Sequence, residues 1–144
     1  MIRHVAGFAE IVEDVETAVR FYRDVLGLEV EYQPGEAYAN VKVSGTLHFG
    51  LWARAAAAES TFGDASAIDR IPLGFTIGFE VDSVETSHQE TAGRGLTFSQ
   101  PPRTEPWGQV TARFFSPSGA LCEFSETPWA RQITQNLKAD SEGG

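Results

Sequence analysis

The segment Val12-Glu13-Asp14-Val15-Glu16-Thr17 returns 69 positions later as Val81-Asp82-Ser83-Val84-Glu85-Thr86. A chain of 144 residues that echoes itself once at this spacing is constrained to two copies of one supersecondary unit. Each copy follows a β-like segment, Phe8 to Val12 and Phe75 to Val81, and leads into a helical pattern that stops at glycine.

In the first copy Asp14 is suited to cap the helix. Ala18, Phe21, Tyr22, Val25 and Leu26 then form an apolar stripe, and Gly27 ends it. In the second, Ser83 takes the capping position and the helix runs toward Ala92, with Gly93 and Gly95 as stop signals. Three strands follow each helix: Leu28 to Tyr32, Ala37 to Val43 and Thr46 to Ala53, then Leu96 to Ser99, Gln109 to Phe115 and Ala120 to Ser125. The turns Ser44-Gly45-Thr46-Leu47 and Ser118-Gly119-Ala120-Leu121 align the last hairpins of the two halves. The expected organisation is therefore one structural domain. Residues 1–53 form the first βαβββ module, 54–72 an alanine-rich linker with one helical turn through Ala55 to Ser60, 73–126 the second module and 127–144 a tail without chemistry.

Composition excludes several functions. Twenty acidic residues against eleven basic ones give a net charge of −9, which repels a phosphate backbone, so no nucleic-acid partner is expected. No apolar run approaches the roughly 20 residues of a membrane span, and the N-terminal segment lacks a secretory pattern, so the expected location is cytoplasmic. Cys122 is the lone cysteine, which rules out an internal disulfide.

The order of these units, with Phe21-Tyr22-Arg23-Asp24-Val25-Leu26-Gly27-Leu28, Glu105-Pro106-Trp107-Gly108 and Ser116-Pro117-Ser118-Gly119-Ala120-Leu121-Cys122-Glu123, resembles the vicinal oxygen chelate superfamily. That group contains glyoxalases, extradiol dioxygenases, fosfomycin-modifying enzymes and bleomycin-binding resistance proteins. The resemblance covers most of residues 5 to 126. It implies an α+β fold in which two βαβββ modules form a curved eight-stranded cup with helices on its convex side. It also implies a homodimer.

In the superfamily's enzymes a divalent metal is held by side chains on the first and last strands of each module. Carried onto this chain, those positions fall on Gly7, Phe49, Thr76 and Glu123, of which only Glu123 is a strong donor. His48 and Glu10 lie one or a few residues away and join the site only if the register shifts. His4 and His88 read as surface residues, Cys122 as a small buried hydrophobe on the helix side, and no nucleophilic triad is visible.

These residues point to a metal-free site, without cofactor, for a small aromatic or polycyclic molecule, with antibiotic sequestration as the superfamily's precedent. Tyr38, Phe49, Trp52, Phe62, Trp107 and Phe115 are the expected aromatic wall, with Thr76, Arg113 and Glu123 as polar anchors. The alternatives are a metal-dependent lyase, isomerase or dioxygenase of the same superfamily, and an interaction module whose cleft is filled by side chains.

Overall fold

The computed structural model describes residues 1–129. Eight strands form one sheet: β1 (Ile2–Val12), β2 (Glu29–Glu31), β3 (Tyr38–Lys42), β4 (His48–Ala53), β5 (Gly74–Val81), β6 (Phe98–Thr104), β7 (Val110–Phe115) and β8 (Leu121–Glu126). Their order is β2-β3-β4-β1-β5-β8-β7-β6, so each module is a four-stranded sheet and the two join along β1 and β5. The architecture is the mixed α+β curved sheet that the superfamily resemblance implies. Of the tail expected at 127–144, the part from residue 130 on lies outside the described residues.

The seam carries the symmetry of the duplication. β1 and β5 run antiparallel with Gly7 opposite Gly78, Phe8 opposite Ile77 and Ala9 opposite Thr76. Applying the 69-residue offset of the repeat sends Gly7 to Thr76, Phe8 to Ile77 and Ala9 to Gly78, so a pseudo-twofold axis passes through the Phe8/Ile77 pair. β4 and β8 flank the seam in parallel, with Gly7 beside His48, Ala9 beside Gly50 and Gly78 beside Glu123.

Both capped helices form where the sequence places them. The Asp14 carboxylate accepts from the Glu16 amide at the start of α1 (Val15–Arg20), and the Ser83 hydroxyl accepts from the Thr86 amide at the start of α3 (Val84–Gly93). On the convex side Val15 and Val19 pack against Ala39, Val41 and Leu51, while Val84 packs with Val81, Ala112 and Phe124.

Three elements depart from expectation. The first helix widens after Arg20 into a π-helical segment, Phe21–Val25, closed by Leu26 N–H donating to the Phe21 carbonyl at 3.1 Å. The extra residue in that turn rotates the stripe outward. Phe21, Val25 and Leu26 are exposed, while Tyr22 stays packed on the core. β6 runs on through Pro101 and Pro102, where a loop is expected; it is an edge strand, and its irregular register with β7 accommodates residues that cannot donate.

The linker is the largest departure. Residues Arg54–Phe62 form a full helix, α2, followed by a short 3₁₀ segment at Ala67–Arg70. Ala57 and Ala58 pack with Ile11, Ile71 and Leu121, and with Trp52 and Phe115 around them. Ile11, Trp52, Phe115 and Leu121 alternate in phase with Gly7, His48, Arg113 and Glu123 on their strands. α2 therefore sits on the concave face and closes one end of the cup, whereas α1 and α3 cover the convex side. No helix among the described residues is long and apolar enough to cross a membrane.

Candidate functional site

The remaining concave surface encloses a cavity of about 490 Å³. Strand alternation brings Tyr38, His48, Trp52, Thr76, Arg113 and Glu123 to it, and Trp107 in a turn and Trp129 beyond the last strand join them. The structure thus brings Tyr38, Trp52, Thr76, Trp107, Arg113 and Glu123 to one cavity.

Phe49, Phe62 and Phe115 are not on the cavity wall. Phe49 points to the convex side, where its ring lies 5.5 Å from Tyr22 and 5.9 Å from Phe75. Phe62 and Phe115 stack on each other at 6.4 Å beneath α2, so they seal its packing against the sheet. His48 lines the cavity in place of Phe49. Glu10 faces the helices, where its carboxylate accepts from the Tyr22 hydroxyl at 3.0 Å. The other two histidines are less exposed than predicted. His4 Nε2 and His88 Nδ1 are buried without a partner among the described residues, and the His88 ring lies on Phe98 at 4.5 Å.

The pseudo-twofold explains the misplacement. Gly78/Glu123 and Ala9/Gly50 are symmetry-related pairs, so the counterpart of Glu123 is Gly50, one residue beyond Phe49. Gly119 lies four residues before Glu123 but Gly45 lies five before Gly50, so aligning the two glycine turns shifts the first module by one. The four symmetry-related positions are Gly7, Gly50, Thr76 and Glu123.

Neighbouring rings fill the space over two of these glycines. A Cβ on Gly7 would lie 2.6 Å from His48 Cδ2 and 2.8 Å from Nε2, and one on Gly50 would lie 2.1 Å from the Tyr38 hydroxyl oxygen. His48 thus lies across Gly7 and Tyr38 across Gly50. Burial lowers the His48 pKa against the opposing pull of Glu123 and Glu80, so the imidazole is neutral near pH 7. Burial, with the Glu123 charge added, pushes the Tyr38 phenol up to about 12.

Behind the cavity lies a buried polar network that composition alone does not reveal. Arg113 is 1% exposed; its Nε donates to Glu123 Oε2 at 3.0 Å, and its Nη1 donates to Glu105 Oε1 at 3.1 Å, to Ser60 Oγ at 3.0 Å and to Gln100 Oε1. Burial alone would raise the Glu105 pKa. The Arg103 hydrogen bond, the Arg113 charge and the Thr111 hydroxyl outweigh it, and the carboxylate is held below its ordinary range. Arg113 also stands over the Trp52 ring at 5.3 Å, which fixes both side chains. Glu105 is absent from the sequence-level candidates; its place in Glu105-Pro106-Trp107-Gly108, beside an aromatic loop residue, is the available signal.

Trp129 is the other omission, because the tail is expected to carry no chemistry. It stands at the cavity 49% exposed, and Trp107, 48% exposed, is oriented by donating to Gln109 Oε1 at 2.6 Å. Gln109 in turn donates to Thr127, two residues before Trp129. Cys122 is buried, and burial raises its thiol pKa.

The family model described as the Glyoxalase/Bleomycin resistance protein/Dioxygenase superfamily matches residues 2–124. The chain belongs to this superfamily. Solved members share the glyoxalase fold at low identity. A hypothetical protein, BH1468, from Bacillus halodurans C-125 is 20% identical with a TM-score of 0.59, covering 86% of this chain and 94% of that one. A superfamily member from Vibrio splendidus 12B01 is 21% identical with a TM-score of 0.57, covering 88% and 100%. A Streptomyces coelicolor methylmalonyl-CoA epimerase variant in complex with 2-nitronate-propionyl-CoA is 16% identical with a TM-score of 0.58, covering 87% and 94%. No curated protein sequence matches significantly.

Membership raises the question of a divalent ion. Gly7, Gly50, Thr76 and Glu123 offer one carboxylate and one hydroxyl between them. No group of three His, Cys, Asp or Glu side chains converges among the described residues. This donor set does not fit an ion that needs three or more protein ligands.

Proposed function

We propose that this glyoxalase-fold protein binds a small planar aromatic molecule without a metal ion, sequestering it as the bleomycin-resistance members named in its superfamily do. The observation that carries this reading is the composition of the cavity. Trp52, Trp107, Trp129 and Tyr38 supply flat apolar surface, and Glu123 is the one carboxylate at the four related positions. A volume of about 490 Å³ suits a ligand of two to four fused rings, within the roughly 300–1,000 Å³ of small-molecule sites.

In this reading the chain acts in the cytoplasm as a homodimer. Support for a second copy comes from Phe8, Phe21 and Phe75, which are 36%, 48% and 56% exposed. Phe8 and Phe75 lie on the convex face of the seam, and light scattering at twice the chain mass is the expected result.

Titration with a panel of planar aromatic compounds, followed by tryptophan fluorescence, tests the binding. Saturable quenching at one ligand per chain is expected from at least one fused-ring compound. A flat response across the panel contradicts the reading. The rival is a metal-dependent enzyme of the same superfamily, favoured by one observation: the neutral His48 imidazole shares the cavity with Glu123.

A further inference from the structure

The space above Gly78 differs from that above the other glycines of the cavity floor. A Cβ placed on Gly78 would meet only the Gly7 carbonyl oxygen, at 3.8 Å, whereas Gly7 and Gly50 are overlain by rings. Its symmetry counterpart Ala9 already carries a methyl group. An open notch therefore runs into the floor at one place, on one side of the pseudo-twofold axis.

Polar groups border the notch on both sides. Toward β8, Gly78 is registered with Glu123, which commits Oε2 to Arg113; no protein donor engages Oε1 among the described residues. Toward β1, Gly78 is registered with Gly7, over which His48 places Nε2, and no protein group engages that nitrogen among the described residues. Arg113 fixes the carboxylate, since the residue is 1% exposed and its guanidinium is bonded to Glu105, Ser60 and Gln100 besides Glu123. A carboxylate held in this way is preorganised to accept a proton-bearing group.

Resting on the reading of the cavity as a metal-free aromatic site, we propose that the Gly78 notch receives the hydroxyl- or N–H-bearing edge of the ligand. Glu123 Oε1 accepts the hydrogen bond, and His48 borders the opposite side. The ligand is thus a phenol-like or ring N–H aromatic rather than a plain hydrocarbon, and Gly78 sets how deeply its edge enters. An edge that carries an ether in place of the hydroxyl leaves Glu123 desolvated without a donor, which is the costly case.

The test compares 2-naphthol with 2-methoxynaphthalene by calorimetry on the whole chain and on Gly78→Ala and Gly78→Val. The wild-type protein should prefer the naphthol by about tenfold, the effect of one hydrogen bond to a charged acceptor. In Gly78→Ala the added Cβ enters open space, and the melting temperature verifies that both variants fold. In Gly78→Val the preference should fall to within about twofold, with Gly78→Ala between it and wild type. Equal wild-type binding of the two probes overturns the inference while leaving the aromatic site standing. A tenfold preference that persists in a folded Gly78→Val protein also overturns it. Heat from neither probe defeats the notch, and the fluorescence panel then decides independently whether the cavity binds aromatics at all.

Discussion

Gly7 has the His48 carbonyl oxygen 2.3 Å from where its Cβ would be, with the imidazole close behind. A backbone oxygen cannot swing away as a side chain can, so Gly7→Ala should destabilise the protein by about 1–3 kcal/mol, the range of overpacking in a filled interior. Gly78→Ala should stay within about 0.5 kcal/mol of wild type. Urea denaturation of the two variants checks the contrast, and equal losses would mean that His48 does not lie over Gly7. The imidazole itself gives a second test. Its pKa is lowered in the folded state, chiefly by burial, so below the unfolded value of about 6.5 the unfolded chain binds more protons than the native one. The contribution of a neutral His48 to stability is therefore present above that value and lost as the pH falls below it. An NMR titration should place the His48 midpoint below about 6.5. A midpoint above that figure would require Glu123 and Glu80 to dominate over burial.

At the scale of elements, α2 decides the length of the cavity. Its Ser60 hydroxyl accepts from Arg113 at 3.0 Å and from Arg103 at 3.2 Å and donates to Glu105, fastening the helix to the second module. Ser60→Ala removes a partner from three charged groups, two of them fully enclosed, and should cost about 2 kcal/mol in urea denaturation. Amide exchange in α2 should quicken more than in α1, and unchanged stability would show that the helix is held by Ala57 and Ala58 alone. Little of this is legible in the sequence. A helix that buries Ala57, Ala58, Ser60 and Thr61 presents small residues where periodicity looks for large ones. The capped helices were readable because Asp14 and Ser83 act locally on amides two or three residues away. The π-helical segment was not, since Phe21, Val25 and Leu26 fit an α-helical stripe and only the backbone widening turns them outward. Among site residues, Tyr38, Trp52 and Arg113 line the cavity, whereas Phe49 and Trp52, three residues apart on one strand, could not both face it. Phe49 fails because two glycine turns that look alike in sequence differ by one residue in register.

Over the whole molecule, duplication supplies a seam with symmetry, and the sequence departs from that symmetry where the cavity is. Gly7, Gly50 and Thr76 stand at the positions related to Glu123, two of them overlain by His48 and Tyr38. What remains is a cup lined by Trp52, Trp107 and Trp129, with one strong acceptor among those four positions. Elemental analysis of the full chain, purified without chelators, bears most directly on this account. The expected result is zinc, iron, nickel and manganese each well below one equivalent per chain, with aromatic binding unchanged by EDTA. One equivalent of any of these ions, lost together with ligand binding on EDTA treatment, would contradict it.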